Sequence, residues 1–182
     1  MEDIKVHKNA KFITLTLSTD SYIELTKDIP LTGYNRDNAL IKKATRRFLE
    51  RWRKKFKKSV RHFFVSELGH NGTENVHLHG LIWTDEKPDT IRELWKYGYI
   101  WPRNNDWNGN YVSERTINYI GKYITKKDEK HKTYKPIILT SAGIGAIVVR
   151  VLLRSIFCFS SRLVMIFRNR FVWCMFPLFL YR

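Results

Sequence analysis

Two β-rich runs, His62-Phe63-Phe64-Val65-Ser66-Glu67-Leu68 and Val76 to Thr84, are joined by a short polar link of Gly69, His70-Asn71-Gly72-Thr73 and Glu74. Their β-branched and aromatic content and the Gly/Asn turn between them predict an antiparallel hairpin. Lys11 to Ser18 supplies another strand, in which Phe12, Thr14 and Thr16 alternate with Ile13, Leu15 and Leu17. Thr32 to Asp37 reads as a turn-rich approach to a helix. From Asn38 to Val60, Ile41, Phe48, Trp52 and Phe56 recur near one helical face. Lys87-Pro88-Asp89 opens a short helix carrying Ile91, Leu94 and Trp95, with proline suited to its first turn. Tyr97 to Val112, aromatic and rich in Gly and Asn, predicts a short hairpin. Ser113 to Lys126 predicts a last helix with Ile117, Ile120 and Ile124 along one side. The expected order, β-α-β-β-α-β-α, is that of an α+β fold with a central antiparallel sheet flanked by helices.

The length of 182 residues fits one domain, or one domain with an appendage. A hydrophobic content of 43% with 14% aromatics excludes wholesale disorder. Against 17 Asp and Glu stand 33 Lys and Arg, a net charge of +16, so a polyanion is the expected partner: nucleic acid or an anionic membrane surface. The cysteines, Cys158 and Cys174, both lie near the C-terminus, which excludes a disulfide-stapled secreted fold and a Cys-rich zinc module. Met-Glu-Asp-Ile-Lys-Val-His-Lys at the start has no apolar core and is no signal peptide, so a cytoplasmic protein is expected.

The averages conceal a seam. All acidic residues lie at or before Glu129, and from Ser141 onward the only charges are six arginines. The uncharged runs there, Ser155 to Ser161 and Phe171 to Tyr181 with Pro177 inside it, fall short of the roughly 18 to 20 apolar residues that span a bilayer. A basic interfacial segment and an ordinary final helix or strand are alternatives. One domain rarely changes composition at a single point, however. The expectation is a functional domain over residues 1–145, followed by a frame-shifted or degenerate tail over 146–182. Sequencing the encoding DNA tests this.

Three groups of residues could carry chemistry. In a strand, His77 and His79 project to one side while Leu78 points to the other. Two imidazoles at that spacing can hold one divalent ion with a third ligand, either Glu67 on the partner strand or Glu74 in the loop. The competing reading is a pair of histidines on a solvated sheet face. Tyr119 and Tyr123 are four apart on the expected last helix, flanked by Lys122 and Lys126, which could grip a phosphate or lower a phenol's pKa; equally, they could be core tyrosines with wet tips. Lys42 to Arg61 holds eleven Lys and Arg against Glu50 alone. That one-signed excess points to a phosphate-tracking surface formed by Lys42, Lys43, Arg46, Arg47, Arg51, Arg53, Lys54 and Lys57, rather than to decoration for solubility.

Phe12-Ile13-Thr14-Leu15-Thr16, Glu67-Leu68-Gly69, His77-Leu78-His79-Gly80 and Tyr119-x-x-Lys122-Tyr123, in that order, resemble the motifs of HUH endonucleases. More narrowly they resemble the two-tyrosine rolling-circle replication initiators of Microviridae, gokushoviruses in particular, as does the Lys-Pro-Ile-Ile-Leu-Thr-Ser-x-Gly-Ile-Gly stretch at 135–145. The resemblance implies an RRM- or ferredoxin-like sheet in which Glu67, His77 and His79 hold Mg2+ or Mn2+ against the scissile phosphate. It implies Tyr119 and Tyr123 as nucleophiles and Lys122 as a phosphate-positioning residue. It further implies a nickase and strand transferase that leaves a 5′-phosphotyrosine and a 3′-OH primer on single-stranded origin DNA. Host helicase and polymerase would be its partners in the bacterial cytoplasm. The tail departs from the family pattern. Other readings are a relaxase or transposase of the same fold, which needs one tyrosine, a non-catalytic single-stranded nucleic-acid binder, and a basic membrane-associated protein led by the tail.

Overall fold

The computed structural model describes residues 9–69, 75–107, 131–142 and 144, together with Thr116 and Ile120. The elements run β1 (Ala10–Leu15), α1 (Thr19–Thr26), α2 (Gly33–Phe56), β2 (Arg61–Leu68), β3 (Val76–Trp83), α3 (Pro88–Trp95), β4 (Ile100–Trp101) and β5 (Ile138–Thr140). Among the described residues the strands form one five-stranded sheet in the order β4-β1-β3-β2-β5. Every pairing in it is antiparallel. The α+β class expected from the sequence is the one found.

The expected hairpin is the centre of this sheet. β2 and β3 pair along their full length from Arg61 opposite Trp83 to Leu68 opposite Val76, and Gly69 N–H donates to the Asn75 carbonyl where the two strands meet. β1 pairs with the other edge of β3. Strict alternation then divides the side chains between two faces. Ile13, Leu15, Phe64, Leu68, Val76, Leu78 and Ile82 point to one side, against Leu40, Ile41, Ala44, Phe48 and Trp52 of α2 and Ile91, Leu94 and Trp95 of α3. Full burial of each such side chain is worth about 1.5–3 kcal/mol, so this face contains the main core. On the other side Phe63, Val65 and Leu81 form a smaller cluster with Ile120 and Ile144, and Phe12 and Trp83 pack against it.

Gly80 marks where β2 and β3 come closest. A Cβ there would overlap the Phe63 carbonyl oxygen and sit 2.8 Å from Phe64 Cα, so a side chain at this position would push the two strands apart. Its backbone serves both neighbours, facing Ile13 on one side and Phe64 on the other.

The elements depart from expectation in several places. Thr32 to Asp37 is not a turn-rich approach, because helix α2 already begins at Gly33. Tyr34 packs edge-on to His131 and Tyr134, and Asp37 accepts a hydrogen bond from the Tyr22 hydroxyl; tertiary contacts thus hold a start that local propensity does not favour. The same helix ends at Phe56 and not at Val60, since Lys57 turns left-handed at φ 56° and its N–H caps the Arg53 carbonyl. Between Tyr97 and Trp107 the chain makes no hairpin of its own: its two-residue strand β4 pairs with β1. Helix α1 and strand β5 were not expected. α1 starts at Ser18, whose hydroxyl accepts the Ser21 N–H. Thr116 and Ile120 have helical backbone, and the rest of the expected last helix, like the tail after 144, lies outside the described residues.

Candidate functional site

Register brings the histidines and the carboxylate together. Glu67 lies directly across from His77, and Val65 across from His79. All three polar side chains therefore rise from the face opposite α2. Glu67 Oε2 lies 3.2 Å from His77 Nε2 and 2.9 Å from His79 Nε2, and the two imidazoles meet edge to face at 4.7 Å. One ligand atom from each of the three residues lies within 4.8 Å of the other two. The cluster is recessed but reachable: side-chain exposure is 18% for Glu67 and His77 and 10% for His79.

The far sides of the rings are held as well. His77 Nδ1 donates to the Asn75 carbonyl at 3.4 Å, which leaves Nε2 as the nitrogen available to the cluster. His79 Nδ1 is 3.0 Å from the Thr14 hydroxyl. Thr14 can accept from an Nδ1–H or donate to a bare Nδ1, so it suits either tautomer. Phe12 stacks on His79 at 6.4 Å with the rings 10° from parallel. These outer contacts fix ring orientation in the way metal-ligating histidines require.

Electrostatics follow from the packing. Burial on its own would raise the Glu67 carboxyl, but the hydrogen bonds from His77 and His79 outweigh it and hold the group at about 2. His79 is displaced below its ordinary value, first by burial and then by the neighbouring His77, against the pull of Glu67. The site thus presents an ionised carboxylate beside an imidazole biased to its neutral form, the protonation states in which both bind a cation. Two imidazoles and one carboxylate on a rigid hairpin fit a divalent metal ion and leave coordination positions for water or a phosphate oxygen.

Other expected site residues fall elsewhere. Glu74, Tyr119, Lys122, Tyr123 and Lys126 lie outside the described residues. Ile120, next to Tyr119 in sequence, is buried on the cluster's side of the sheet with Val65 and Leu81. The cations of α2 sit behind the opposite face. Lys42, Arg46, Arg53, Lys54 and Lys57 are exposed, and Lys43, Arg47 and Arg51 are half-buried. Two of the eight are occupied by the fold. Arg51 donates to the carbonyls of Leu94 at 2.6 Å and Trp95 at 2.8 Å, closing the end of α3, and lies over the Tyr97 ring. Lys43 ties the Leu25 carbonyl and Asp28 to α2. Thr14 and Phe12 were not singled out as site residues; only the β1–β3 register reveals them.

Among the described residues no helix is long and apolar enough to cross a membrane. No curated protein matches the sequence at a significant level. Residues 10–128, well over half the chain and spanning the cluster and the sheet strands β1 to β4, match the family of replication-associated proteins of the ORF2 type; the chain belongs to this replication-associated protein family.

Proposed function

We propose that this protein is a metal-dependent nickase and strand transferase that initiates rolling-circle replication on single-stranded origin DNA. The observation that carries the reading is the convergence of Glu67, His77 and His79 ligand atoms within 4.8 Å on one sheet face, in a chain whose family acts in replication. Glu67, His77 and His79 would hold Mg2+ or Mn2+; their imidazoles favour Mn2+, the softer of the two. A divalent ion bound there supplies Lewis-acid polarisation of the scissile phosphate.

In this reading Tyr119 and Tyr123 are the nucleophiles. The attacking phenol loses its proton and its oxygen bonds to phosphorus. The bond from phosphorus to the 3′ oxygen breaks, and that oxygen takes up a proton to become the primer hydroxyl. The bond energy is kept in a 5′-phosphotyrosine, which a 3′-OH can later attack to rejoin strands, a use that hydrolysis by water would forfeit. Lys122 would balance charge at the phosphate. Ile120, buried on the cluster's side of the sheet, supports a path that brings its neighbour Tyr119 to that side. Lys42, Arg46, Arg47, Arg53, Lys54, Lys57 and Lys126 would track flanking phosphates.

The test is adduct formation. The protein is mixed with labelled single-stranded fragments of its own genome and Mn2+, then run on a denaturing gel. The expected result is a protein–DNA band that is abolished by EDTA, by H77A/H79A and by the Y119F/Y123F double variant. If DNA is bound without any adduct, the chain is a non-catalytic single-strand binder. A band that depends on only one tyrosine makes it a relaxase- or transposase-like enzyme.

A further inference from the structure

Two aromatic side chains stand exposed at the sheet edge on the cluster's side. Trp101 of β4 is 45% exposed and Tyr99 79%. Thr14 of β1 faces Trp101 on one side and His79 on the other, so Trp101, Thr14 and His79 lie in one row across the sheet. With strands about 4.8 Å apart, that row runs about 10 Å from the edge to the cluster. Phe12 bridges it, edge-on to Trp101 at 5.9 Å and stacked on His79 at 6.4 Å. Thr16 N–H donates to the Tyr99 carbonyl, continuing the β1–β4 register, which puts Tyr99 two residues from Trp101 and on the same side. The main core does not need these two rings, and a solvent-facing indole on an edge strand is a liability unless something covers it.

We infer that Trp101 and Tyr99, backed by Phe12, form a base-stacking platform that seats unpaired nucleotides of single-stranded DNA beside the Glu67–His77–His79 cluster. The proposal rests on the single-stranded substrate of the reading above, not on its chemistry. Unpaired bases have exposed π-faces and a duplex does not, so an aromatic edge selects single strands without reading sequence. Continuity with the cluster and the net charge of +16 favour a nucleic acid over a peptide or a second copy of the chain. Arg103, exposed two residues beyond Trp101, offers a guanidinium to a phosphate of the same strand.

The experiment measures fluorescence anisotropy with the full chain in EDTA, using labelled oligothymidylate and an abasic oligomer with the same number of phosphates. W101A and Y99A are each expected to bind oligothymidylate about tenfold more weakly, and W101F to stay close to the parent. All variants are expected to bind the abasic oligomer equally. Equal loss on both oligomers, no loss on either, or failure of the parent to prefer oligothymidylate overturns the platform. So does a change of oligomeric state in W101A without loss of binding, which would make this edge a contact between copies. Adduct formation is read separately: a protein that stacks bases but forms no adduct sinks the nickase and leaves the platform standing.

Discussion

The Thr14 hydroxyl, 3.0 Å from His79 Nδ1, can take or give a proton as the opposite nitrogen changes partner. When Nε2 binds Glu67 as N–H, Nδ1 accepts from Thr14; when Nε2 offers its lone pair to a metal, Nδ1–H donates to Thr14. T14V keeps shape and removes that partner. Mn2+ affinity is expected to fall about tenfold, with T14S close to the parent, as read by calorimetric titration. Unchanged affinity in T14V would show that packing by Phe12 alone orients the ring. The triad itself was legible in the sequence because period-2 alternation and a cross-strand hairpin partner are local signals. Thr14 was not, since its contact joins residues 65 apart in sequence.

Strand β5 is held to β2 less by its three residues than by a buried polar chain. Ile137 N–H donates to Ser66 Oγ at 2.9 Å, and the Tyr134 hydroxyl lies 2.6 Å from Ser66 Oγ and 3.1 Å from Asn38 Oδ1. Asn38 Nδ2 in turn donates to the Lys135 carbonyl. Helix α2, the sheet and the segment before β5 are thereby linked through one phenol. Y134F leaves the amide oxygen of Asn38 and the Ser66 hydroxyl each short of a partner, and is expected to cost about 1–3 kcal/mol. Chemical denaturation reads that cost, and faster amide exchange at Ile137 would locate it. Long elements with strong periodicity, β1, α2, β2, β3 and α3, were readable from sequence to within a few residues. The others depend on distant partners. β4 is two residues long and exists because β1 offers it an edge, and β5 exists because β2 does. In α1, where Leu25 is the buried residue, the apolar stripe is too thin to announce a helix; contacts from Lys43 and Asp37 on α2 stabilise it.

At the scale of the whole molecule, buried titratable groups set a pH window. His62 is held below its ordinary value by burial, against a hydrogen bond with the Val60 carbonyl. The unfolded chain therefore takes up that proton first, and stability falls as pH drops below about 6.5. Tyr22 and Tyr134 are raised to about 12, in each case chiefly by burial. The folded state keeps protons that the unfolded state releases from about pH 10, so the stability they contribute is complete below that value and lost as pH rises through 12. The denaturation midpoint of the metal-free protein is expected to plateau between roughly pH 7 and 10, and Y134F is expected to flatten the alkaline limb. A midpoint rising beyond pH 10 would contradict the placement of both phenols.

The sheet is also a partition, with chemistry on one side and the main core on the other, and β3 carries both. That has a consequence for which genetic changes a lineage can inherit. Point substitutions in β3 act one face at a time. Gaining or losing one residue between Val76 and Trp83 would instead swap the faces, driving both imidazoles into α2 and turning Leu78 outward. Such a change would be lethal to fold and activity together, and only a compensating second one in the same strand would restore either.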